Sequence, residues 1–139
     1  MTQAFVDSGA WIALAIAQDS DHERATRLFE SLEPGTRLLT SNYVLSETYT
    51  WIRYHDVHST AVALHRRVEQ ARRELLLRVA WVAEEVHQEA WRIFERYRDQ
   101  RFSLCDCTSF VLARRAGVDF VFGFDSDFFV MNFDVRPAP

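Results

Sequence analysis

Five acidic residues have the chemistry and the placement of a hydrolytic site: Asp7, Glu47, Asp106, Asp125 and Asp127. Asp7 stands in "FVDSGAWIALAIA", directly after Phe5 and Val6, and Asp125 and Asp127 follow the apolar run "DFVFGF". Asp106 opens the helical segment "SLCDCTSFVLARRAG", and Glu47 lies in the second turn of "TSNYVLSETYTWIRYH". Carboxylates gathered at one place repel one another unless a cation neutralises them. Hard divalent ions, Mg²⁺ or Mn²⁺, prefer such oxygen donors and keep some of their waters for chemistry. A bound ion lowers the pKa of its water, orients it for in-line attack and offsets charge on a reacting phosphodiester. The expected substrate is therefore a phosphodiester, with arginines to hold the polyanion.

The elements needed to bring these acids together are legible as an alternation. Phe5 and Val6 read as a strand end, followed by a helix capped by Ser8 and running through Ala17. Ala25, Leu28, Phe29 and Leu32 share one helical face, which Pro34 and Gly35 end. Arg37 to Leu39 reads as a strand, followed by a helix capped by Ser41 or Asn42. A further helical stripe begins near Ser59, a strand covers Leu77 to Val82, and Val86 to Tyr97 returns to helical spacing. Ser103 begins a helix through about Ala116, stopped by Gly117; Phe120 to Phe124 and a last short strand around Phe133 to Val135 complete the chain. Strands alternating with helices predict a mainly parallel sheet covered by helices in one domain spanning residues 1–139. Such sheets carry their sites at the carboxyl ends of the strands, where all the singled-out acids map.

Composition bounds the reading. The chain has 139 residues, is 48% hydrophobic and carries a net charge of −4, so it has enough apolar material for one core and no uniformly basic nucleic-acid sleeve. Every basic residue is Arg; the absence of Lys excludes a P-loop and Schiff-base chemistry. No G-x-S-x-G or G-x-G-x-x-G occurs. The opening apolar run is interrupted by Asp7 and lacks a preceding Arg, so it does not read as a signal peptide. No run reaches the roughly 20 residues that span a bilayer, and a cytoplasmic location is expected. Cys105 and Cys107 are expected to be reduced, buried thiols: two apart on a helix they point about 200° apart, and no further Cys completes a metal set. His55 and His58 fall in a connection between helices and read as solvated or capping residues.

Each acid also has a structural reading. Ser103 and Asp106 form the S-x-x-D pattern of a capping box, Asp125 and Asp127 around Ser126 suit a turn, and Asp7 suits a helix cap made redundant by Ser8. Glu47 resists such an account. At about 100° per residue it projects into the arc between Tyr43, Tyr54, Val44 and Trp51, so a carboxylate buried among apolar neighbours and in need of a cation or metal is expected there. Arg66, Arg67, Arg72, Arg73 and Arg78, with Arg114 and Arg115, are candidates for a path that holds the polyanion or for solvated helix faces.

The segments "FVDSGAWIAL", "SNYVLSET" and "FSLCDCTSFVLARRAGVDFVFGFDSDFF" resemble, in order and over nearly the whole chain, the PIN domain and in particular the VapC toxins of type II toxin–antitoxin systems. The resemblance implies a three-layer α/β/α, Rossmann-like fold and an endoribonuclease dependent on Mg²⁺ or Mn²⁺. It implies Asp7, Glu47, Asp106 and Asp125 as the catalytic, metal-binding quartet, with Asp127 and Ser8 auxiliary. It implies as partners an RNA substrate, a VapB-like antitoxin whose segment meets anchors such as Trp11, Trp51, Tyr43 and Phe29 if these are not core, and a second copy in a homodimer. The alternative is a non-catalytic PIN-like module that binds RNA or protein without cleaving; a metal-dependent phosphatase of small esters is a third reading.

Overall fold

The structure, a computed structural model, describes residues 1–139. Its five strands are β1 (Gln3–Val6), β2 (Arg37–Ser41), β3 (Leu77–Ala80), β4 (Phe120–Phe122) and β5 (Val135–Arg136). The helices are α1 (Ser8–Ala15), α2 (His22–Ser31), α3 (Asn42–His55), α4 (His58–Arg73), α5 (Glu84–Arg96), α6 (Leu104–Ala116) and α7 (Asp127–Val130). The strands lie in the order β3-β2-β1-β4-β5, and every pairing is parallel. The expected mainly parallel sheet is thus wholly parallel.

This order places the site. From β1 the chain steps outward to β2 and β3, then crosses back to enter β4 on the other side of β1. Right-handed crossovers put the helices of the outward and returning halves on opposite faces of the sheet. The chain therefore diverges between β1 and β4, and open parallel sheets hold their ligands in the crevice outside such a switch point. Asp7 follows β1 and Asp125 follows β4, so both acids stand at that crevice.

The core explains why the frame is firm. Phe5, Phe110, Phe120, Phe122 and Phe128 are fully buried. Phe110 meets Phe102 and Phe128 edge-on, with centroids 5.0 and 5.1 Å apart, so α6 is keyed by aromatic packing to the segment that follows β4. Burying one such side chain contributes about 1.5–3 kcal/mol. α5 packs along α6, and Arg115 ties them by reaching Glu85 and Glu89 at 3.1 and 2.6 Å.

Element boundaries differ from the sequence expectation where side-chain pattern and backbone part company. α1 stops at Ala15, and its capping position is held by Asp7 rather than Ser8. β2 extends through Ser41, because buried Thr40 and Ser41 belong to the ladder beside β3. Ser41 caps α3 through its side chain, which accepts the Val44 amide at 3.0 Å. β4 ends at Phe122, β5 includes Val135 but not Phe133, and the short α7 has no counterpart in the expected elements.

α6 ends as anticipated at Gly117, which adopts the left-handed conformation at φ 63°. A side chain there meets open space, so the cost of one is conformational. Gly117→Ala is expected to destabilise the fold by about 1 kcal/mol, measured as a lowered urea midpoint with an unchanged slope.

Candidate functional site

Asp7 is positioned by two elements at once. Its amide donates to the Phe122 carbonyl at 2.9 Å, continuing the β1–β4 ladder, while its own carbonyl accepts the Ala10 and Trp11 amides that begin α1. The side chain makes no capping hydrogen bond, although it is only 5% exposed. A carboxylate so enclosed is costly to ionise. Burial pushes its pKa up to about 7; the Ser8 amide offsets part of this, and the charges of Asp106, Asp125 and Glu47 add to it. Gly123 permits the close approach: a Cβ there would lie 3.1 Å from the Asp7 Cβ. Sequence reading missed this glycine, although a Gly inside the apolar run Phe120 to Phe124 signals a close backbone contact.

Asp106 holds two relationships simultaneously. The capping box is real: Ser103 Oγ accepts the Asp106 amide, and Asp106 Oδ2 accepts the Ser103 amide, both at 3.0 Å. Asp106 also offers an oxygen to a cluster with Asp125 and Asp127, in which one oxygen from each lies within 4.8 Å of the others. Burial, with the charges of Asp125 and Glu47, pushes its pKa up to about 6 against the opposing Ser103 bonds. The turn expected around Ser126 is also present, since Asp125 Oδ1 accepts the Asp127 amide at 2.9 Å. Burial and the Asp125 charge raise the Asp127 pKa too. The tight group is therefore Asp106, Asp125 and Asp127, and Asp7 is coupled to it through Asp106 and Asp125.

Glu47 corrects one expectation. It is exposed, not enclosed among apolar side chains, because Trp51 and Tyr54 on the same arc of α3 are themselves 37% and 78% exposed. Trp51 and Tyr54 thus face outward at the rim of the acidic site, while Val44 at the edge of the same arc is buried and Tyr43 packs on the core. Glu47 is still close enough to raise the pKa values of Asp7 and Asp106. Burial and the neighbouring Glu47 carboxylate hold the Cys105 thiol far above its usual range. Cys105 and Cys107 are free, and Cys107 is fully buried in the core with its pKa pushed up to about 11 by burial. Ser8, half-buried, stands beside Asp7 with its amide toward the carboxylate.

Other expected contacts sort themselves by partner. Arg114 donates to the Met131 carbonyl at 2.8 Å and lies over Phe133, and Arg115 is held by Glu85 and Glu89. Both fasten helices and neither flanks the acids. Arg66, Arg67, Arg73 and Arg78 are exposed, whereas Arg72 pairs with Glu69 at 3.1 Å. Trp11 is buried and donates to Thr40, and Tyr43 is half-buried against the core. Phe29 and Trp51 are exposed.

The donor set fits a hard divalent cation. All its donors are carboxylate oxygens, Asp7 is buried beside the charges of Asp106, Asp125 and Glu47, and Asp106, Asp125 and Asp127 share a span that one ion or a close pair would neutralise. A thiolate site has no support, since Cys107 is in the core.

Known proteins share this fold. The PIN domain family matches residues 4–134. The 23S rRNA-specific endonuclease VapC20 of Mycobacterium tuberculosis is 36% identical over 134 residues, spanning 96% of this chain and 98% of its own. The crystal structure of VapC20, described as a sarcin–ricin loop cleaving toxin, superposes with a TM-score of 0.82 at 34% identity, covering 94% of this chain and 95% of that one. More distant structures share the fold: VapBC2 from Rickettsia felis, bound to a promoter DNA fragment, has a TM-score of 0.71 at 9% identity with 97% and 98% coverage. FitAcB from Neisseria gonorrhoeae has a TM-score of 0.69 at 18% identity, with 95% of each chain covered.

Proposed function

The chain belongs to the PIN domain family, and from that premise we propose that it is a metal-dependent endoribonuclease, the toxin of a type II toxin–antitoxin pair, acting on ribosomal RNA. The observation that carries this reading is the enclosed Asp7 carboxylate beside the Asp106, Asp125 and Asp127 group. Residues 1–139 act as one PIN domain. Asp7, Glu47, Asp106 and Asp125 hold Mg²⁺ or Mn²⁺, with Asp127 supporting Asp125 and Ser8 supporting Asp7. The ion supplies an activated water and offsets charge on the phosphodiester. The protein's own part is to fix the carboxylates before substrate arrives: the Ser103 bonds hold Asp106, the Asp127 amide holds Asp125, and Gly123 lets Asp7 close against β4.

The 36% identity to a 23S rRNA-specific endonuclease supports ribosomal RNA as the substrate class. An antitoxin has a surface that suits it: a groove of about 490 Å³ lined by Trp11, Leu14, Phe29, Leu32 and Leu64 among others. The Thr26 hydroxyl in that groove is buried without a partner, as an incomplete surface would leave it. No helix is long and apolar enough to cross a membrane, and we place the protein in the cytoplasm, assembled as a homodimer.

Purified protein incubated with total bacterial RNA, with and without Mn²⁺, tests the reading directly. New 5′ ends at a few positions of 23S rRNA, appearing only with the ion, are expected. Intact RNA under both conditions would instead favour a binding module without chemistry, and turnover of small phosphate esters without RNA cleavage would favour a phosphatase.

A further inference from the structure

Trp51, Tyr54 and His55 are large rings on α3 that serve no visible structural purpose. None of them belongs to the apolar core or to the half-buried residues packed on it. Tyr54 is 78% exposed, and Trp51 at 37% is among the exposed apolar residues. Yet two of these rings, Trp51 and His55, hold each other in place. The Trp51 and His55 rings stack with centroids 4.2 Å apart and planes 12° from parallel. His55 Nδ1 lies 2.9 Å from the Trp51 carbonyl, an acceptor, so that nitrogen carries the proton and the ring is held in place. Trp11 and Trp91 donate their indole N–H groups to Thr40 and Glu95, whereas the Trp51 indole has no protein acceptor.

Position makes this arrangement informative. On α3, Trp51 and Tyr54 follow Glu47 by four and seven residues, which puts all three within about 60° on one face. Trp51 is about 6 Å along the helix axis from Glu47. Helical side chains lean toward the N-terminus, so the indole is carried back over the turn that bears Glu47, with His55 covering its opposite side. The ordered stack is therefore continuous with the rim of the acidic site.

We infer that the Trp51–His55 stack, flanked by Tyr54, is a base-stacking platform that receives an unpaired nucleotide next to the scissile phosphate. This rests on the ribonuclease reading above and adds the positioning group for the substrate. Single-stranded or splayed RNA is recognised chiefly by stacking on aromatic faces, which every base can supply. The platform also suits a protein of net charge −4, whose substrate affinity cannot come from an overall positive field.

The test is binding without chemistry. A fluorescein-labelled single-stranded RNA of about 10 nucleotides is titrated with wild type, Trp51→Ala and Trp51→Phe, using Ca²⁺ to hold the acidic site without supporting cleavage. Trp51→Ala is expected to weaken binding by roughly 5- to 100-fold, and Trp51→Phe to stay within about threefold of wild type. The salt dependence is expected to keep its slope, because no phosphate contact is lost. With Mn²⁺ and cleavable RNA, the same change appears in KM with kcat little altered. Equal binding by Trp51→Ala and wild type overturns the proposal, as does wild type that does not bind. So does a loss of binding that coincides with a changed sedimentation mass, which would assign this face to a second copy. Failure of the nuclease reading looks different: binding persists with the Trp51 pattern while Mn²⁺ produces no cleavage.

Discussion

Asp7→Asn is expected to raise the melting temperature of the ion-free protein at pH 8 by roughly 5–10 °C while eliminating RNA cleavage. The two effects have one origin. With the ion absent, the enclosed carboxylate is held up at about 7 from an ordinary value of 3.8. A folded-state pKa above the unfolded one contributes stability that is complete below pH 3.8 and is lost as pH rises through 7. The loss by pH 8 is on the order of 2–4 kcal/mol. Asn keeps the shape, presents an acceptor toward the Ser8 amide and never ionises, so it escapes that loss. It also removes the charge that a divalent ion would meet. Melting curves from pH 4 to 8 check the sign: wild type should fall across this range more steeply than the variant. Mn²⁺ should restore wild type at pH 8 and do little at pH 5, where protons compete for the same oxygens. A variant less stable than wild type at pH 8 would mean that Asp7 is a structural cap after all.

The sequence reveals the frame of this site better than its depth. Asp7, Asp106 and Asp125 are placed correctly at one edge because strand ends and helix starts announce themselves, through Phe5 and Val6 before Asp7 and through the Ser103 cap before Asp106. Such signals are local and survive without knowledge of the tertiary fold. Glu47 shows the limit. Its helical phase is correct, but phase does not say which residues of the arc meet the core and which the solvent, and here Glu47, Trp51 and Tyr54 face out while Val44 is buried. Tertiary packing decides that, and no periodicity encodes it. Gly123 is half legible: a glycine in an apolar run signals a close contact, but the partner 3.1 Å from its missing Cβ comes from the far end of the chain and only the fold names it. Arg114 and Arg115 were ambiguous in charge pattern and became structural only once α5 and the Met131 carbonyl came beside them.

Asp106 presents the sharpest separation of structural from chemical duty, and two substitutions divide them. Ser103→Ala removes the hydroxyl that accepts the Asp106 amide, which is expected to cost about 1 kcal/mol of stability and to leave cleavage within a few-fold of wild type. Asp106→Asn has the opposite profile. Its amide oxygen can still accept the Ser103 amide, now bonded at 3.0 Å, so the helix start survives. Neutralising a carboxyl whose pKa is already raised to about 6 by burial also relieves repulsion from Asp125 and Glu47. The melting temperature of the ion-free variant at pH 8 should therefore hold or rise. Cleavage, by contrast, should fall more than about 100-fold, since changing even a group that only supports a metal ligand typically costs 10–100-fold. If Asp106 were only the acidic half of a capping box, Ser103→Ala would still be the less stable of the two, but neither variant would lose activity. The ranking of the two by melting temperature is thus opposite to their ranking by cleavage rate only when the carboxylate serves the chemistry.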